Sequence, residues 1–268
     1  MTNKKKLSAI AAGLLVIGLV GSLITYQSTN EFNEVSEQKT ITGSQVTALD
    51  INSDNSRIEI WPTTEQDVDI QLSGKTATNV KPLFTANVED STLFITLDED
   101  QNKWFNFNFH DYKLTLKVYL PEKQYNAFKI ANNNGYILAQ KLTATSIQAT
   151  TDNGRIELNE STAQDVKVKT DNGKITLNHV TGVLNGRANN GSITVLTKEI
   201  NQNITLETDN GRISLQTETE PNNVSFLTHV DNGRVNLFDK YKEDTVIGEG
   251  KTVVKLTADN GSISVEKQ

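Results

Sequence analysis

The phrase Thr151-Asp152-Asn153-Gly154-Arg155-Ile156-Glu157-Leu158 decides the architecture of this 268-residue chain, because the chain keeps returning to it. It recurs as Thr170-Asp171-Asn172-Gly173-Lys174-Ile175-Thr176-Leu177, as Ala188-Asn189-Asn190-Gly191-Ser192-Ile193-Thr194-Val195 and as Thr208-Asp209-Asn210-Gly211-Arg212-Ile213-Ser214-Leu215. Further copies surround Asn232-Gly233 and Asn260-Gly261, and a looser one, Asn132-Asn133-Asn134-Gly135, precedes them all. The glycines are separated by 19, 19, 18, 20, 22 and 28 residues. A period near 20 is the signature of a stacked array.

Within each copy, apolar residues stand two and four places after the glycine, as in Ile156 and Leu158. The same alternation precedes the phrase in Val166, Val168 and Thr170. Period-2 alternation means strands with one buried face. Asn-Gly between two such runs predicts a tight type I′ turn, because both central positions then need φ > 0. Two architectures satisfy this pattern. In one, each period is a coil of a β-solenoid, a parallel β-helix-like stack of Asp-Asn-Gly repeats. In the other, each phrase is a hairpin in an antiparallel meander or barrel. The stack is favoured, because the unbroken asparagine column from Asn134 to Asn260 suits amide ladders between superposed strands. Length variation also collects after the second strand, at 217–223 and 239–251, where a stack places its loops.

The position before each Asn is aspartate in five of the seven copies, and the position after each Gly is Arg or Lys in four. A stacked aspartate column could hold cations weakly. The simpler expectation is that each Asp caps its own turn and is partly neutralised by the basic residue beside it. The glycine-rich nonapeptide of calcium-binding β-rolls is absent.

Upstream, Lys4-Lys5-Lys6 precedes an uncharged, mostly apolar run from Leu7 to Thr25. Nineteen residues at about 1.5 Å each nearly cross a hydrocarbon core of roughly 30 Å. The lysines place the N-terminus in the cytoplasm and everything after Tyr26 outside. No convincing cleavage pattern closes the run, Val20-Gly21-Ser22 being the nearest, so an uncleaved anchor is expected. The domain plan is therefore a cytoplasmic tip and transmembrane helix over 1–26, a polar stalk over 27–39 and an extracellular all-β domain over 40–268.

Between stalk and repeats, Ser53-Asp54-Asn55-Ser56-Arg57-Ile58-Glu59-Ile60 is a degenerate copy with serine for glycine. Val68–Leu72, Leu93–Leu97 and Leu114–Leu120 read as strands, the last closed by Pro121. The aromatic run Trp104 to His110 is either a platform for a glycan or protein partner, or a strand whose phenylalanines plug the end of the stack. No cap is evident at the C-terminal end, where Glu266 and Lys267 would guard an exposed edge.

The net charge of −7 becomes −10 once the three N-terminal lysines are set aside, which argues against nucleic acid as partner. With no cysteine, no disulfide supports the exported domain. His110, His179 and His229 fit no metal-ligand spacing, and no nucleophile elbow, phosphate loop or zinc-protease motif occurs. The expectation is a protein that is not an enzyme, with no catalytic, cofactor-binding or metal site.

The anchor, the strand ending Leu120-Pro121, the segment Phe128 to Gly135 and the serial Asp-Asn-Gly phrases together resemble the bacterial "putative adhesin" family. That group of unknown function includes LiaG-type membrane-anchored proteins, and the similarity spans residues 40–266. It implies a β-solenoid on the outer face of a bacterial membrane and supplies no site residues. The function expected is a membrane-anchored, cell-surface binding module contacting envelope polymer or an envelope protein. The alternative is an accessory or regulatory protein of an envelope-stress response acting on a membrane partner.

Overall fold

The computed structural model describes residues 32–77, 82–99 and 113–268, where one 3₁₀ turn, Gly43–Gln45, accompanies fourteen strands. The expected membrane span 7–25 and the aromatic run 104–110 lie outside the described residues. No helix among those described is long and apolar enough to cross a membrane.

Each full copy of the phrase sits inside one long strand. These are β7 (Tyr125–Gln140), β8 (Thr143–Asn159), β9 (Thr162–Asn178), β10 (Thr181–Thr197), β11 (Ile204–Thr217), β12 (Val224–Leu237) and β14 (Thr252–Lys267). Neighbours run parallel and in register, Asn153 beside Asn134 and Asn172, Gly154 beside Gly135 and Gly173. The array is thus a solenoid-like stack, and the antiparallel arrangement is excluded for the repeats. Residues before and after the phrase face each other across one core. In β8, Ile147, Ala149, Thr151, Ile156 and Leu158 are all buried. The buried parity changes from odd to even across Asn153-Gly154, leaving consecutive outward residues at a corner.

The Asn-Gly pair is not the tight turn that its dipeptide suggests. No Asn of the phrase has positive φ, and the strand runs through the corner. A type I′ turn would pair the two arms of one copy with each other. Here each arm spends its backbone hydrogen bonds on the copies above and below, so the arms part and enclose the core. Reversal occurs instead at Lys141, Glu160 and His179, in the left-handed region at φ 52°, 48° and 53°. Their amides bond the neighbouring coil: Lys141 N–H to Asn159 O at 2.9 Å and Glu160 N–H to Asn178 O at 2.8 Å.

The N-terminal part closes one end. β2 (Ala48–Thr63) carries the degenerate copy and stacks on β7, with Asn55 beside Asn134 and Ser56 beside Gly135. Its other edge is covered by β5 (Thr92–Glu99) along the first arm and β6 (Lys113–Pro121) along the second. β4 (Pro82–Glu89) pairs with β5, and β3 (Val68–Ala77) with β6, both antiparallel. The stalk expected over 27–39 is in part a strand: β1 (Phe32–Ile41) pairs antiparallel with β3 over ten residues, and Val35 and Ile41 pack on the core. A polar composition hid it, because its pairing is carried by backbone groups that complete the free edge of β3.

At the other end, spatial order departs from chain order. The sheet runs β10-β11-β14-β12, so the last strand lies inside the stack and β12 forms its end. The end expected to be bare is covered by the segment between them. Here β13 (Thr245–Ile247) pairs with Val224–Phe226, and the Thr228 N–H donates to Asp244 Oδ1 at 2.6 Å. Phe238 and Ile247 pack on the core, Phe238 edge-on to Phe226. The insertion also resolves the 28-residue spacing between Gly233 and Gly261: residues 238–251 return the chain over the end before Val253 to Leu256 enter the stack.

A candidate binding surface along the Asn-Gly corner

The corner begins with a ladder. Asn134 Nδ2 donates to Asn55 Oδ1 and Asn153 Nδ2 to Asn134 Oδ1, each at 2.9 Å. The series continues through Asn172, Asn190, Asn210 and Asn260 to Asn232, with no bond longer than 3.1 Å. Every amide donates in the same direction. The unbroken column in the sequence is therefore a continuous chain of side-chain hydrogen bonds.

Beside it runs the glycine column, whose reason is close approach. A Cβ on Gly173 would meet the Gly154 carbonyl oxygen at 1.7 Å, and one on Gly211 the Gly191 oxygen at 1.5 Å. Gly173 also holds φ +154°, a conformation that side chains disfavour. Inside the corner Thr151, Thr170 and Thr208 are buried. Thr208 Oγ1 donates to Gly191 O at 3.4 Å, whereas Thr170 Oγ1 and Asn132 Oδ1 have no hydrogen-bond partner among the described residues.

Two charged columns flank these. On the first arm the aspartates do not pair with the basic residue after the glycine. Lys169 lies 3.0 Å from Asp171, Arg187 contacts both Glu207 and Asp209, and His229 lies 2.9 Å from Asp231. The two copies with Asn before the ladder use it as an amide donor between carboxylates: Asn133 Nδ2 to Asp54 at 2.6 Å and Asn189 Nδ2 to Asp171 at 3.0 Å. The expected capping and neutralisation inside each phrase fails because its Asp and its Arg or Lys sit on different arms.

On the second arm the residues after the glycine superpose as Arg57, Tyr136, Arg155, Lys174, Ser192, Arg212, Ser262 and Arg234. The first three form a fixed group. The Tyr136 ring lies between the guanidinium groups of Arg57 and Arg155, at 4.3 and 5.9 Å, and its hydroxyl donates to Glu157 Oε2 at 2.7 Å. That hydrogen bond holds the Glu157 carboxyl below its ordinary range, against burial, with help from Asn159, Arg155 and Lys174. Burial and the same bond push the Tyr136 phenol up to about 12. For Glu59, burial acts upward, but hydrogen bonds from Arg57 and Trp61 and the charges of Arg57 and Lys117 outweigh it and hold the carboxyl low.

Farther along, Lys174, Arg212 and Arg234 are exposed and make no salt bridge or side-chain hydrogen bond among the described residues. The bare glycines leave two shallow grooves against this column, of about 700 and 770 Å³, which meet at Gly173 and Lys174 and reach as far as Ser262. From Arg57 to Arg234 the column spans seven strand spacings, roughly 34 Å. Sequence reasoning saw the basic residues but assigned them to neutralise aspartates; their superposition on a separate arm was the missed signal.

On the opposite side, where the coils reverse, a cleft of about 540 Å³ is lined by Glu160, His179, Lys198, Glu199 and Gln202 among others. Its imidazole is engaged on both nitrogens, Nδ1 by Asn178 Oδ1 at 2.7 Å and Nε2 by Glu218 at 2.9 Å. His229 stands elsewhere, on β12, and His110 is outside the described residues. Among the described residues no three His, Asp or Glu side chains are gathered as metal ligands.

The model of a family described as Toastrack DUF4097 matches the chain twice, over residues 46–154 and 131–266. No curated protein matches it. Among solved structures, a "putative adhesin" from Bacteroides fragilis NCTC 9343 is similar at 16% identity and a TM-score of 0.47, covering 88% of this chain and 97% of its own. A "putative cell adhesion protein" from Clostridium sporogenes ATCC 15579 is similar at 13% identity and a TM-score of 0.42, covering 88% of this chain and 100% of its own.

Proposed function

The chain belongs to the Toastrack DUF4097 family, and on that premise we propose that it is a non-catalytic, adhesin-like binding module. Residues 7–25 tether it to the cell membrane in a single pass, with the β-solenoid outside and envelope polymer as its partner. The observation that carries this reading is the exposed column Lys174, Arg212 and Arg234, none of them in a salt bridge among the described residues, the first two lining the glycine grooves and Arg234 next in register beyond them. An elongated polymer lying along the groove meets a cation every one or two coils. Its chain needs no deep pocket, because the bare glycine backbone lets it approach closely.

The test is co-sedimentation of residues 27–268 with isolated cell walls, with and without calcium. Binding is expected, and it is expected to fall when Lys174, Arg212 and Arg234 are replaced together by glutamate. Retention by the triple variant would remove the basic column from the reading. Calcium dependence would direct attention to the aspartate column instead.

A further inference from the structure

The stack is not assembled in the order in which the chain is made. β11 and β12 are consecutive coils in sequence, yet β14 lies between them. It pairs in parallel with β11 from Ile204↔Val254 to Thr217↔Lys267, and with β12 from Val224↔Thr252 to Leu237↔Val265. The chain thus climbs two strand spacings from β11 to β12, roughly 9.6 Å, and then steps back by one. Rotating in the same sense while moving in the opposite direction, the crossover from β12 to β14 has the opposite hand to the crossovers between β7 and β11. Parallel crossovers nearly all share one hand, so this step stands apart from the rest.

The slot that β14 fills reads its occupant closely. Asn260 donates to Asn210 and accepts from Asn232, at 3.1 and 3.0 Å. Gly261 lies where a Cβ would meet the Gly211 carbonyl oxygen at 1.7 Å. Val254, Leu256, Ala258, Ile263 and Val265 are buried between the coils on either side. Both walls are parallel edges bearing the same phrase, so the slot accepts a strand that carries Asn-Gly in register with alternating apolar residues.

β14 is also held differently from every other described strand of the stack. Only residues 238–251 join it to β12, a longer link than any between consecutive strands from β7 to β12. Fourteen residues fully extended reach about 50 Å, whereas two residues suffice for the same return between β7 and β8, β8 and β9, and β9 and β10. The strands from β7 to β10 are instead fixed at both ends by short reversals. We propose that the slot between β11 and β12 is a strand-acceptor site, and that its occupant in associated molecules is β14 of a second copy of this chain. An exchanged β14 makes every contact that the chain's own β14 makes. The balance is then set by concentration against the tether, as for other exchanges of identical elements between protomers.

The absence of cysteine gives a clean test in the full chain in detergent. Ser214 and Ser264 are register partners on β11 and β14. One copy, enlarged by a fusion tag, carries S214C, and an untagged copy carries S264C. Within either copy the new thiol has no partner, so a mixed disulfide reports the β14 of one in the slot of the other. The control pairs tagged S214C with T194C, register partners on β11 and β10, where β10 is joined to β9 by two residues and to β11 by six. Mild oxidation is expected to yield at least tenfold more mixed dimer from the first pair, rising with concentration. Equal yields from the two pairs would overturn the proposal. A second measurement needs no variant chain: a labelled peptide of residues 251–268 is expected to bind the unaltered full chain, and the same peptide with Gly261→Ala is not. No binding by the native peptide, or equal binding by both, counts against the slot.

Discussion

At the scale of single residues, the glycine column shows how one observation can be right for the wrong reason. Asn-Gly reads as a turn, and glycine does take a positive φ at Gly173, but the decisive constraint is the Gly154 carbonyl oxygen against its Cα. Gly173→Ala should therefore cost about 3 kcal/mol or more, because the obstacle is backbone and cannot move aside. In thermal unfolding that is a fall of roughly 6–12 °C, and a fall below 2 °C would show that the coils can part there. Thr170 makes the opposite case. Its buried hydroxyl has no hydrogen-bond partner among the described residues, so Thr170→Val should be neutral or stabilise by about 1 kcal/mol. Thr208→Val removes a hydrogen bond to Gly191 O and should give no gain. Equal responses of the two variants in denaturant unfolding would contradict that distinction. The threonine column was legible as an alternating inward position. Which member lacks a partner was not, because that depends on fractions of an ångström between coils.

Between elements, the group on the second arms of β2, β7 and β8 ties neighbouring coils through charge. Glu157 has a folded-state pKa below its ordinary value near 4.5, so its contribution to stability is complete above that value and is lost as pH falls through the folded one. Glu59 acts in the same direction. Tyr136 works at the other extreme: with its pKa pushed up to about 12, its contribution is complete below 10 and is lost as pH rises through about 12. Glu157→Gln should lower stability at pH 7 by about 1 kcal/mol and flatten the loss of stability at pH values below 4.5. An unchanged acid slope in urea titrations at those pH values would remove Glu157 from the acid response. Element order was the least legible feature of the fold. Period, strand parity and the degenerate copy at Ser53–Ile60 were all readable, because each is a local pattern. The insertion of β14 was not. Its phrase matches both neighbours equally well, and the unusual length before it, residues 238–251, signals only that something intervenes.

For the whole molecule, a net charge of −10 beyond Tyr26 repels an anionic polymer, unless position matters more than the sum. Screening decides this. At physiological ionic strength the Debye length is about 8 Å, comparable to the spacing of one or two coils, so a strand in the glycine groove responds to the nearest charges. Lys174, Arg212 and Arg234 are those charges, and the carboxylates of Asp171, Asp209 and Asp231 are engaged by partners on the other arm. Reversing all three cations should reduce binding to cell walls at least tenfold while leaving the unfolding midpoint within about 2 °C, since exposed charges contribute little to stability. Binding by the parent should also weaken steadily from 0.05 to 0.5 M salt, the range over which screening shortens to a few ångströms. A polymer read through hydrogen bonds to the ladder amides or glycine carbonyls would respond weakly to either change. The two readings separate on one comparison: salt-resistant binding that survives the triple reversal locates recognition in the backbone groove, and binding lost in both places it in the basic column.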